Sequence, residues 1–123
     1  MLFAGLDVST QSCKLIVIDS EINDVVFTTS VNYDSDLPEF HTVNGIISDQ
    51  PEGISESDPK MWLQAVNIVF QQLKDSDISQ KEIKCISVSG QQPIYWCPQT
   101  DQCVIEIKRN LKDRRKFITS FLF

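Results

Sequence analysis

The chain has 123 residues and a net charge of −6, with 41% apolar and 23% charged residues. This is one domain's length and an ordinary globular composition, enough to bury roughly two thirds of the unfolded surface. No apolar run approaches the ~20 residues of a membrane span, and the N-terminus lacks the basic region of a signal peptide, so no membrane partner and a cytoplasmic location are expected.

Charge is unevenly placed. Residues 1–107 hold 5 Lys and Arg against 16 Asp and Glu, a net of −11, whereas residues 108–123 hold 6 against 1, a net of +5. The acidic body argues against a nucleic-acid partner, which would need basic stripes. The run "KRNLKDRRK" is a composition break, which can be read as a nuclear address or nucleic-acid arm or as an unrelated tail. The expected division is 1–104 as one unit and 105–123 as a divergent basic tail.

Residues 2–8 and 13–19 read as strands, the first nearly continuous in apolar residues and therefore central. Residues 25–31, "VVFTTSV", are β-branched and supply the third strand of a meander. Residues 33–57, with acids, serines, prolines and glycines but little periodicity, read as an excursion with one short strand at Ile46–Ile47. Asp58-Pro59 is a helix start, a side-chain acceptor followed by a proline whose missing N–H costs nothing there. The helix runs to about Lys74, its apolar stripe formed by Trp62, Val66, Val69 and Leu73 and widened by Ala65 and Phe70. "IKCISVSG", 83–90, reads as a fourth, buried strand. "PIYWC" and "CVIEI" form a hairpin around "PQTDQ". Ile107, Leu111, Ile118 and Leu122 mark one side of a final amphipathic helix. The order β-β-β-α-β predicts an α/β sheet with a meander at one side.

The four cysteines match no common zinc spacing and read as reduced structural thiols, with Cys13 and Cys85 as small hydrophobes inside strands. Cys97 and Cys103 could face each other across the hairpin. His41, alone among loop residues, reads as surface.

Two stretches carry chemistry. The first is "DVSTQSCK", a hairpin with no glycine between Asp7 and Lys14. Asp7 at its base can hold Mg²⁺ through water, since this ion takes a carboxylate or two and keeps most of its waters. Ser9, Thr10, Gln11 and Ser12 offer donors suited to phosphate oxygens, and Lys14 adds a point charge. The same residues also fit a plain polar turn in which the aspartate satisfies its own loop. The second is "SVSGQQ", which places Gln91 and Gln92 just past a strand's carboxyl end, where they could pair with sugar hydroxyls or simply turn. Tyr95 and Trp96 could form a stacking wall or pack a hairpin core.

"GLDVSTQSCKLIVID", "NYDSDLPEF", "DPKMWLQAVNIVFQQLK" and "ISVSGQQ", in this order, resemble the N-terminal region of the FGGY-type carbohydrate kinases. Within that family the resemblance is nearest to the eukaryotic xylulose kinases, on "DLPEF" and the Met-Trp at the head of the helix, and it covers residues 2–96. It implies a partial ribonuclease-H-like (actin-like ATPase) fold, and ATP, Mg²⁺ and D-xylulose as the ligands of the intact enzymes. By position it puts Asp7 on the metal through water, the phosphates before Ser9, Thr10, Gln11 and Lys14, and the sugar beside Gln91 and Gln92. The family pattern continues His-Gly after these glutamines, where this chain has Pro93. The family's catalytic aspartate has no counterpart in these residues, so the expectation is that the chain by itself does not turn over. The alternative reading is an inactive truncated product or a non-enzymatic sugar- or phosphate-binding or interaction module.

Overall fold

In the computed structural model, the described residues are 1–90 together with the backbone of 95–97 and 102–104. The chain divides into two units, Met1–Gln91 and Gln92–Phe123. In the second, β7 (Tyr95–Cys97) pairs antiparallel with β8 (Gln102–Val104), so the expected hairpin is present. Its register sets Trp96 opposite Cys103 and Cys97 opposite Gln102, and the two cysteines do not pair across it as expected. The expected terminal helix through Ile107, Leu111, Ile118 and Leu122 lies outside the described residues, as do Gln91 and Gln92.

The first unit is built on a four-stranded mixed sheet in the order β3-β2-β1-β6. Strands β1 (Leu2–Val8), β2 (Ser12–Asp19) and β3 (Asp24–Asn32) form the antiparallel meander, and β6 (Ile83–Gly90) lies parallel to β1. Alternation along the strands decides what is buried. Leu2, Ala4 and Leu6 of β1, with Cys13, Leu15 and Val17 of β2, point to one face and are buried.

That face is covered by α2 (Pro59–Lys74), which lies across β2 and β3. Asp58 caps it, its carboxylate accepting from the Lys60 N–H at 2.8 Å, and Pro59 opens the first turn. The buried stripe is Met61, Ala65, Val69 and Leu73, one residue back from the expected line at its start. Trp62, Val66 and Phe70 flank it, only partly buried. The physical reason is that i, i+4 steps keep a helix face aligned with the strands beneath, and Met61, not Trp62, begins that series.

Three further expectations are corrected. Strand β6 is not buried: Ile86 and Val88 share the helix-covered face with Ala4 and Leu6 yet are 45% and 62% exposed. Helix α2 stops short of them, leaving an open groove lined by Phe70, Leu73, Ile83 and Ile86. Cys85, on the opposite face, is exposed and is no core hydrophobe. The excursion at 33–57 is also more ordered than its composition suggests. It holds a one-turn helix α1 (Tyr33–Asp36), a 3₁₀ turn at Pro38–Phe40, and a hairpin of β4 (Thr42–Val43) and β5 (Ile46–Ile47). Tyr33 and Leu37 from this segment are in the core. His41 is exposed, as expected, with a left-handed backbone at φ 51°.

Met61→Ala should lower the unfolding free energy by about 2–5 kcal/mol through loss of apolar burial and the cavity left behind. Leu63→Ala, at a side chain 59% exposed, should stay within about 0.5 kcal/mol. Urea denaturation followed by tryptophan fluorescence measures both, and equal costs would refute the Met61 stripe.

Candidate functional site

The site forms where β1 and β6, running parallel, reach their carboxyl ends together. Asp7 is level with Ser89 on one side and with Lys14 on the other, and Val8 is level with Gly90. Alternation sends Asp7, Lys14 and Ser89 to the sheet face that α2 does not cover, and there they line a shallow groove with Gly5, Ile16 and Ser87. Asp7, Lys14 and Ser89 are exposed. The Ser89 hydroxyl donates to Asp7 Oδ1. The Asp7 carboxylate is therefore engaged by the neighbouring strand.

The turn between β1 and β2 closes on itself first. The Ser9 N–H donates to the Ser12 carbonyl at 2.9 Å, and the Ser9 hydroxyl donates to the same oxygen at 2.9 Å. The loop is then tied to the segment after β3. The Tyr33 N–H donates to the Gln11 carbonyl at 3.0 Å, and the Tyr33 hydroxyl donates to the Ser9 carbonyl at 3.0 Å. Burial above all, with the nearby thiol of Cys13 and the carboxylate of Asp7, pushes the Tyr33 phenol well above its ordinary value. It stays a donor.

A second support stands beside the first. Asn44 and Gly45 make the two-residue turn between β4 and β5, both left-handed at φ 56° and 77°, as tight hairpins favour. Asp34 caps that turn. Its Oδ1 accepts from the Thr42 hydroxyl at 2.7 Å and the Gly45 N–H at 3.0 Å, and its Oδ2 from the Asn44 N–H at 2.6 Å. The Thr42 bond first, then those from Gly45 and Asn44, hold the Asp34 carboxyl below the usual range. Gly45 lies so close to the phosphate-facing candidate loop that a Cβ there would sit 1.8 Å from the Thr10 carbonyl oxygen.

Of the residues singled out in the sequence, Asp7, Ser9, Thr10, Gln11 and Lys14 are thus brought to one sheet end. Gln91 and Gln92 follow directly on Gly90, which ends β6 there, but they lie outside the described residues. Sequence reasoning missed Ser89, Tyr33, Asp34 and Gly45. Asn44-Gly45 between short β-branched runs was a readable hairpin signal, and Ser87 and Ser89 alternate in step with Gly5 and Asp7. Nothing local marked Tyr33.

The residues fit Mg²⁺ held in one way only. Among the described residues no three His, Cys, Asp or Glu side chains gather to hold a metal, so an all-protein cage does not fit. A single exposed carboxylate, one oxygen of which is engaged by a hydroxyl, suits an ion that keeps its waters and binds chiefly through a phosphate ligand.

No protein-family model matches the chain. Xylulose kinase 2 of Arabidopsis thaliana is 35% identical over 118 residues, covering 92% of this chain and 21% of the relative. The xylulose kinase of Rattus norvegicus is 35% identical over 94 residues, covering 75% and 17%. Among solved structures, a ligand-bound xylulose kinase from Lactobacillus acidophilus superposes with a TM-score of 0.57 at 25% identity, over 84% of this chain and 18% of that one. A xylulose kinase from Rhodospirillum rubrum gives 0.59 at 22% identity, over 85% and 19%. The chain spans about a fifth of the length of these relatives. The mixed sheet with its covering helix is part of the actin-like ATPase fold of sugar kinases.

Cys13, opposite Val8 at the base of the site, is buried, and burial first, then the Asp7 charge, pushes its thiol up to about 11. Iodoacetamide at neutral pH should label Cys85 and spare Cys13, read by peptide mass mapping. The unfolded thiol loses its proton first, so folded-state stability should fall as pH rises from about 9 to about 11. A flat urea midpoint between pH 8 and 11 would count against the buried neutral thiol.

Proposed function

We propose, on the premise that the chain corresponds to the N-terminal region of the FGGY-type sugar kinases, that it carries the phosphate-facing side of an ATP-dependent kinase acting on D-xylulose. The observation that supports this most directly is the constellation at the carboxyl ends of β1 and β6. Asp7 stands there on the open face, braced by Ser89, beside a loop whose Ser9 and Gln11 carbonyls are tied back to Tyr33. Ligands of α/β sheets favour this end of the strands.

In this reading Asp7 holds Mg²⁺ through water near the transferred phosphoryl group. The ion, bound with ATP, neutralises phosphate charge. Ser9, Thr10 and Gln11 face the phosphates, and Lys14 adds a cation on the adjoining strand, so that the terminal phosphate keeps one orientation. Gln91 and Gln92 border the pentulose, offering amide donors and acceptors to its hydroxyls. Such catalysis is mostly positioning and charge stabilisation, so the protein's work is geometric. The product of the intact enzyme would be D-xylulose 5-phosphate.

Titrating ATP with Mg²⁺ into the ¹⁵N-labelled chain should move the amide signals of residues 7–14. Asp7→Ala should remove the magnesium-dependent part of that change and leave signals from α2 in place. If residues 7–14 stay unmoved at millimolar ATP and Mg²⁺, the phosphate-facing role is wrong.

A further inference from the structure

We propose that Asp34 and Gly45 are positioning residues for the 9–12 loop, and that the stretch from Tyr33 through the 42–47 hairpin acts as its buttress. The inference rests on the phosphate-facing reading of that loop and adds what sets its geometry.

The case begins with adjacency. Tyr33 and Asp34 are consecutive, and the Asn32 side chain fixes both by accepting from the Asp34 and Ser35 N–H groups at 3.1 Å each. Tyr33 grips the loop at two points, the carbonyls of Ser9 and Gln11. Asp34 grips the 44–45 turn through three hydrogen bonds. That turn in turn presses on the middle of the loop. A Cβ at Gly45 would meet Thr10 O at 1.8 Å, Thr10 C at 2.8 Å and Gln11 Cα at 3.2 Å, all backbone atoms with no rotamer to yield. From the far side the Ser57 hydroxyl donates to the Gly45 carbonyl at 2.6 Å, and the Ile47 N–H donates to the Glu56 carbonyl at 2.9 Å. Gly45 is therefore bound at its N–H and at its carbonyl, with its Cα face against the loop. Ser9, Thr10 and Gln11 are each met by one short segment.

A close backbone approach of this kind excludes every side chain at Gly45, whatever the backbone angle. Gly53 separates the two effects. It is also left-handed, at φ 84°, but a Cβ there would meet nothing within 4 Å. An alanine at 53 suffers the backbone strain alone, and an alanine at 45 suffers strain and displaces Thr10 and Gln11.

The test uses the full chain carrying Gly45→Ala, Asp34→Asn or Gly53→Ala. Three readouts are compared: amide signals of residues 9–12 without ligand, affinity for ATP with Mg²⁺, and Tm. Asp34→Asn keeps the shape and one acceptor oxygen, and so covers the case in which Gly45→Ala does not fold. The expected result is that Gly45→Ala and Asp34→Asn move the ligand-free 9–12 signals and weaken ATP–Mg²⁺ binding by about tenfold or more, since small misplacements of positioning groups are costly. Gly53→Ala should leave both at the wild-type value even where it lowers Tm. Ligand-free 9–12 signals unmoved by Asp34→Asn overturn the buttress. So does an affinity loss in Gly53→Ala equal to that in Gly45→Ala, which would make the effect one of general stability. A wild-type chain that binds no ATP–Mg²⁺ overturns the phosphate-facing reading and the ligand half of this inference, and is told apart because the ligand-free signals still report on the buttress.

Discussion

The arrangement depends on the grip of one buried tyrosine on the turn between β1 and β2. Tyr33 is fully buried, and a hydroxyl in that position left without a partner would cost about 1–3 kcal/mol. It finds its partner in the Ser9 carbonyl, 24 residues away, while its own N–H takes the carbonyl of Gln11. Moving the loop would break both bonds and expose the ring's seat among core side chains. The hydrophobic effect that buries the ring thus also sets where a polar loop stands.

Polarity follows from that grip. A peptide unit is planar and trans, so a carbonyl held on one side turns its N–H to the other. Tying the Ser9 and Gln11 carbonyls to Tyr33 orients the peptides that follow them. In the proposed phosphate-facing role such fixed orientation would help, because preorganised dipoles incur no reorganisation when a ligand arrives. The tyrosine position is fixed in its turn by the Asn32 cap at the end of β3. The third strand of the meander therefore reaches the site's loop through its last residue.

Much of the scaffold was legible because its causes are local. The apolar runs in 2–8 and 13–19, the β-branched run at 25–31 and the Asp58-Pro59 cap each dictate their own element, and each stands where the sequence placed it. The start of the helix stripe was not legible, because Met61 and Trp62 are both apolar and only the strands beneath choose between them. Exposure of β6 was hidden for a related reason. Ile86 and Val88 have the alternation of a covered strand, and whether a strand is covered depends on how far α2 reaches. Within the site, Asp7 was legible from its place at the foot of a glycine-free hairpin. Tyr33 and Asp34 were not, since one acts across 24 residues and the other on a turn ten residues on. Composition suggested loop for the whole of 33–57, while Asn44-Gly45 carried a turn signal that weighed too little against the surrounding acids and serines.

The central strand explains why the site needs two kinds of neighbour. β1 has an antiparallel partner on one side and a parallel partner on the other, so Asp7 stands between Lys14, next along the chain, and Ser89, brought from 82 residues away. The antiparallel hairpin alone would give a carboxylate and an ammonium on one face, free to move with a short loop. The parallel strand adds a hydroxyl donor that fixes the carboxylate and directs the chain, at Gly90, to the end of the sheet where the loop already lies. Parallel neighbours cannot be joined by a tight turn, so β6 arrives after a long connection whose last large element is α2. The helix that buries Met61, Ala65, Val69 and Leu73 against the sheet therefore also serves the site on the face it never touches.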